Sequence, residues 1–185
     1  MKLRAALLIA CLSAILIATV DVSAQWDVTA RLAAVKDRPA VAAFSLQDAS
    51  GKVVKPSDFR GRPMVVNLWA TACAGCLTEL PTFVKLHRDY GDKGLAVLGI
   101  SMDVFYSDLK NTQEAWPLVK PFVASHKMAY PILVDDGTVQ KGFAVHALPA
   151  TYLLDKNGLV AAAYIGVVSA ADVEVNVKAL LNEGR

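Results

Sequence analysis

Met64-Val65-Val66-Asn67-Leu68-Trp69-Ala70-Thr71-Ala72-Cys73-Ala74-Gly75-Cys76 is the stretch that decides the fold. From Met64 to Trp69 the chain is apolar except for Asn67, the composition of a central strand covered on both faces. From Cys73 onward the period changes. Cys76, Leu80, Phe83, Leu86 and Tyr90 recur at steps of three and four, one face of a helix. Gly91 and Gly94 end it, and Leu95–Ile100 is a second buried run. Strand, helix and strand then make one unit, with parallel strands and a right-handed crossover.

Upstream, Ala43–Leu46 and Val53–Lys55 flank the turn residues Asp48-Ala49-Ser50-Gly51 and predict a hairpin. Ser57 is placed to cap a single turn that stops at Gly61. Residues 25–40 form a lead-in, with a helix predicted over Val28–Val35 and ended by Pro39. Downstream, Ser107–Gln113 reads as loop. Trp116–His126 reads as helix despite Pro117 and Pro121, Ile132–Val134 as a short strand and Thr138–Phe143 as a short helix. Thr151–Leu154 and Val160–Ile165 flank Asp155-Lys156-Asn157-Gly158, a second hairpin. A last helix over Ala170–Leu181 is expected with Ser169 as its cap. The sum is an α/β sandwich with a mixed sheet.

The 185 residues suit one domain with a sizeable core. A net charge of +2, evenly spread, gives no footprint for nucleic acid. Lys2 and Arg4 precede an uncharged run from Ala5 to Val20, followed by Val22-Ser23-Ala24. This predicts a secretory signal over residues 1–24, a lead-in over 25–40 and one domain over 41–185. The run is short for a spanning helix of about 20 residues, yet an uncleaved anchor stays open. So does a lipid on Cys11, which follows Leu8-Ile9-Ala10.

Export changes how cysteines are read. An oxidising compartment uses them as staples, and staples stabilise most when they close long loops. Cys73 and Cys76 close almost none, so a structural role explains them poorly. A redox role explains them well. Cys73 falls at the first turn of its helix, where unpaired N–H groups and the positive dipole end favour a thiolate. Cys76 falls inside the helix and is less activated. An attacking thiol and a resolving thiol follow from that asymmetry. Glu79, one turn beyond Cys76, is placed to exchange a proton with it, or else is a solvated helix residue. Pro81 interrupts the helix ladder. Pro149, in Ala147-Leu148-Pro149-Ala150, precedes a strand.

Taken together, Val65–Cys76, Glu79-Leu80-Pro81 and Leu148-Pro149-Ala150-Thr151-Tyr152-Leu153-Leu154-Asp155 resemble the thioredoxin-fold family. Within it they are most similar to exported, membrane-linked thiol reductases of the TlpA and ResA type. The likeness covers roughly residues 41–180 and takes in Phe59-Arg60-Gly61. It implies a thioredoxin-like three-layer α/β/α sandwich with an N-terminal hairpin extension. It also implies a protein-disulfide reductase without a cofactor. Cys73 and Cys76 would be the redox disulfide, and Pro149 a cis-proline facing them. The Leu148 backbone would bind extended substrate, and Glu79 would tune the thiols. Asn67 stands where thioredoxin carries a buried aspartate, and with Trp69 and Pro81 would frame the site. Partners implied are protein thiols and disulfides and a membrane thiol carrier, outside the cytoplasm. Two departures stand out. Ala72 replaces the usual tryptophan before the first cysteine. Ala74-Gly75 replaces the common proline-bearing pair, and Gly75 is expected to loosen the helix start by ~1 kcal/mol.

Other chemistries fit less well. Zinc wants four ligands and a single CxxC is present. Copper(I) held by Cys73, Cys76 and His146 is the principal alternative: His146, three residues before Pro149, is the histidine expected nearest the cysteines, while His87 lies on the same helix well past the pair and His126 ends a predicted helix. Covalent haem attachment requires histidine where Leu77 stands. A peroxidase of the peroxiredoxin kind requires proline and threonine where Val66 and Ala70 stand.

Overall fold

The computed structural model describes residues 27–183. The leader, the alternative anchor and Cys11 lie outside the described residues. In chain order the elements are β1 (Leu46–Gln47), β2 (Val53–Val54), β3 (Met64–Trp69), α1 (Ala74–Tyr90) and β4 (Ala96–Ser101). Then come α2 (Asp103–Tyr106), α3 (Thr112–Ser125), β5 (Ile132–Val134), α4 (Thr138–Gly142), β6 (Ala150–Leu154), β7 (Val160–Ile165) and α5 (Ala170–Asn182). The main sheet runs β5-β4-β3-β6-β7, with the apolar run β3 at its centre and every residue of it buried. β4 pairs parallel to β3 and β5 parallel to β4, whereas β6 is antiparallel to β3 and β7 to β6. The sheet is mixed, as expected.

Alternation along β3 splits the core into two clusters. Val65 and Trp69 pack under α1, α3 and α5 with Leu80, Phe83, Val119, Val173 and Val177. Met64, Val66 and Leu68 face the other way, onto Leu46, Val54 and Val139 of the hairpin and α4. The result is the three-layer arrangement, a thioredoxin-like fold.

Both sheet edges are covered, which removes open ladders that would otherwise pair with another chain. On the β5 side, Asp48 of the hairpin bridges Leu133. On the β7 side lies the lead-in. Here the predicted Val28–Val35 helix is absent, and the segment is extended apart from a single 3₁₀ turn at Val35–Asp37. Its backbone is used along the sheet edge instead. The Ala33 N–H donates to Ala161 O (2.7 Å), and the Val160 N–H to Pro39 O (2.8 Å). Val28 donates to Val167 O (2.7 Å) and accepts from the Ser169 N–H (2.9 Å). Arg38 closes the strap, its buried guanidinium reaching Asp155 (3.0 Å) and Glu183 (2.7 Å).

Other differences are local. Lys55, not Ser57, precedes the 3₁₀ turn Pro56–Phe59, and its N–H donates to Asp58 Oδ2 at 2.9 Å. The loop predicted over Ser107–Gln113 contains the start of α3, capped by Asn111 Oδ1 accepting from the Glu114 N–H (3.1 Å). Ser169 precedes α5 but makes no side-chain cap.

Candidate active site

At the end of β3 the chain is pinned before it reaches the cysteines. The Met102 N–H donates to Trp69 O at 2.7 Å. The N–H and hydroxyl of Thr71 both donate to the buried carboxylate of Asp103 (3.1 and 2.6 Å). Ser101 Oγ donates to the same carboxylate (2.7 Å). Thr71 is therefore fixed to the segment following β4, two residues ahead of Cys73.

Cys73 occupies the N-cap of α1, one place before the first helical residue and not within the first turn. Its Sγ accepts from the Cys76 N–H at 3.2 Å, so sulfur takes the place an oxygen usually fills at a cap. An electron-rich sulfur there receives both an N–H and the positive end of the helix. The structure holds Cys73 and Cys76 as a disulfide, with Cα atoms 5.3 Å apart. Cys76 has no exposed surface and Cys73 very little.

Glu79 is buried between α1 and the sheet, not solvated. The Asn67 Nδ2 group donates to its Oε1 at 2.7 Å, and the Val168 N–H to its Oε2 at 3.2 Å. Burial pushes the carboxyl up to about 7, against the downward pull of those two donors. The other Asn67 Nδ2 hydrogen goes to Thr151 Oγ1 (3.1 Å), on the neighbouring strand in register with Asn67. Tyr130 belongs to the same neighbourhood. Burial raises its hydroxyl, and the Glu79 charge raises it further.

Pro149 follows a cis peptide bond after Leu148 and is itself buried. It lies against the first turn of α1. A β-carbon placed on Gly75 would sit 3.2 Å from Pro149 Cδ and 3.3 Å from Val167 Cγ2. Gly75 is thus a close-approach position, where a side chain would require Pro149 or Val167 to give by a few tenths of an ångström. The Leu148 N–H and C=O make no hydrogen bond among the described residues.

Cys73, Cys76, Glu79, Asn67 and Pro149 converge on this one end of the sheet. Trp69 lies beneath, stacked on Phe122 with ring centroids 4.9 Å apart. Pro81 is exposed on the outside of α1. His146 is exposed too. Among the described residues no group of three or more His, Cys, Asp and Glu is placed to hold a metal. Four contributors carry no assignment from sequence: Thr151, Tyr130, Asp103 and the Val168 amide. Thr151 stood within the quoted motif. A backbone amide leaves no mark in a sequence.

The comparisons with known proteins agree with this geometry. Residues 38–163 match the family described as AhpC/TSA. The chain is 31% identical over 131 residues to the thioredoxin-like protein YneN of Bacillus subtilis, covering 71% of this chain and 72% of that one. It is 31% identical over 124 residues to the thiol-disulfide oxidoreductase ResA of Bacillus cereus, 66% of each. Among solved structures, a thiol:disulfide interchange protein of the thioredoxin family from Chlorobium tepidum superposes with a TM-score of 0.67 at 23% identity, over 78% of this chain and 97% of that one, a likeness of fold. The chain belongs to the AhpC/TSA family, and within it is a thioredoxin-like thiol-disulfide oxidoreductase.

Proposed function

We propose that the protein is a reductase of protein disulfides, working outside the cytoplasm. The Cys73 thiolate attacks one sulfur of a partner disulfide, and the partner's other sulfur leaves as a thiolate and takes a proton from water. Cys76 gives its proton to the Glu79 carboxylate and attacks Cys73 Sγ, and the partner's second sulfur departs. The partner gains two electrons, and the Cys73–Cys76 dithiol becomes the disulfide. Reduction by a membrane thiol carrier resets the pair. Pro149 and the free backbone groups of Leu148 would hold the partner's chain extended across the sulfurs.

The observation that supports the direction is the buried Glu79 carboxyl, one helical turn from Cys76 on α1. Ionised, it repels a thiolate on the same buried face. Oxidants of this chemistry owe their potential to a stabilised reduced form. A carboxylate at this place works the other way. Cysteines awaiting haem in cytochrome c, or copper in an assembling site, are the proposed substrates, and a tether through the N-terminal segment is part of the same proposal. Both draw on the resemblance to the TlpA and ResA type. Equilibration with glutathione tests the direction. A potential more negative than about −230 mV is expected, and one near −120 mV would make the protein an oxidant. Cys73→Ser should abolish reduction, and Cys76→Ser should accumulate the mixed disulfide. Full turnover by Cys76→Ser would overturn the two-thiol mechanism.

A further inference from the structure

Three stretches meet around Cys73, and between them they show almost no charge. Thr71–Thr78 carries none, Ala144–Tyr152 has only the side chain of His146, and Met102–Ser107 has only Asp103, which is buried. Trp69 and Ser101 are in register on parallel strands, so the segments that follow them leave the sheet at the same end. The Thr71–Asp103 hydrogen bonds then lock α2 beside the approach to Cys73.

α2 is a single turn whose buried side supplies Asp103 and whose outer side presents Phe105 and Tyr106. Phe105 is 63% exposed and Tyr106 48%. Leu77, next to Cys76, is 41% exposed. Two rings adjacent in sequence, left exposed on a short element that a buried carboxylate holds in place, are the kind of apolar surface that a partner covers. The family's usual rim aromatic is missing, since Ala72 stands there. From these observations we infer that Phe105 and Tyr106, with Leu77, form a docking surface for the substrate protein. It selects an uncharged, extended segment with large apolar side chains beside the disulfide cysteine.

The occupant is fixed by continuity with the chemistry. A partner sulfur that reaches Cys73 must carry its flanking residues over this rim. Apolar flanks find the two aromatic faces, while charged flanks meet uncharged stretches beside Cys73, with Asp108 and Lys110 only beyond α2, and lose water for little return. The inference rests on the reductase reading above.

The test uses two synthetic peptides that differ only in the residues on either side of one cysteine. One has leucine there and the other serine, and each is presented as its disulfide-linked homodimer to the reduced protein. In a single turnover the peptide disulfide becomes two thiols as the Cys73–Cys76 dithiol is oxidised. The leucine peptide should react about tenfold faster than the serine peptide. In Phe105→Ser/Tyr106→Ser that ratio should fall to within about twofold. Val175→Ser, which removes an equally exposed apolar side chain from α5, should keep the ratio. Equal rates for both peptides in the wild type overturn the docking surface and leave the reductase reading standing. Failure to reduce either peptide overturns the reductase reading itself. A wild type that sediments as a dimer, and becomes monomeric in the double variant, would assign the rings to a second copy of the chain and also overturn the proposal.

Discussion

The Asn67 amide donates a 2.7 Å hydrogen bond to Glu79 inside the protein, where neither side chain has more than a trace of exposed surface. That bond lowers a carboxyl pKa which burial raises, and the balance leaves it near 7. Asn67→Leu removes the donor and should move the Glu79 carboxyl above its present value. The pH midpoint of Cys76 reactivity should move with it. Infrared titration of the carboxyl stretch reads the first effect, and alkylation of reduced Cys73→Ser at a series of pH values reads the second. An unmoved carboxyl midpoint would mean that Asn67 serves packing alone.

Glu79 also makes stability depend on pH. Its folded value, about 7, lies above the 4.5 of a free glutamate carboxyl, so between those two the folded state holds a proton that the unfolded state has lost. The Glu79 contribution to stability is then fully present below about 4.5 and is lost as pH rises through about 7, the reverse of the usual paired carboxylate. The gap is worth about 3 kcal/mol. Urea unfolding of the oxidised protein at pH 5 and pH 9 should show a larger decline for the wild type than for Glu79→Gln. Equal declines would refute the assignment.

Gly75 is set by contact, not by helix propensity. Alanine would add ~1 kcal/mol of helix preference. Its methyl group, however, would press on Pro149 and Val167 at 3.2 and 3.3 Å. Crowding of that kind costs about 1–3 kcal/mol where neighbours are fixed. Gly75→Ala should lower stability by about 1 kcal/mol and slow attack on peptide disulfides, since Pro149 must yield. A thermal melt and a stopped-flow trace decide it, and a more stable, equally fast variant would contradict the packing argument.

Arg38 ties the lead-in to both the second hairpin and the last helix. Its side chain and that of Asp155 are almost fully buried. Asp155 keeps two other donors, the Asn157 and Leu159 amides. Arg38→Ala strands a buried carboxylate and should cost about 3 kcal/mol. Adding Asp155→Asn should recover part of that loss, and a double-mutant cycle on denaturant midpoints measures the coupling.

Legibility from sequence followed the range of the interactions. β3, β5 and β7 fall where the apolar runs placed them, and α1 where its three-and-four spacing did. Those signals are local. The residues that came as a motif, Cys73, Cys76, Glu79 and Pro149, lie at one end of the sheet. The lead-in went wrong because its partners are distant. Val28 and Ala33 have helix-compatible neighbours, but their backbone groups pair with residues 161–169, which no periodicity registers. α2 and the start of α3 were missed for a related reason. Asp103 looks like a loop residue until Thr71 supplies its donors, and Asn111 is a cap only once Glu114 turns into the helix. Val168 acts through its amide, so its identity as valine says nothing of its part in the site.

The edge strap has a mechanical corollary. Val28 grips Val167 and Ser169, the immediate neighbours of the amide that steadies Glu79. Tension on the polypeptide ahead of Val28 would be borne by those two bonds, one residue from the acid, before it reached either sulfur. The leading end of the domain is thereby joined, through the Val168 amide, to the carboxylate proposed to take the Cys76 proton.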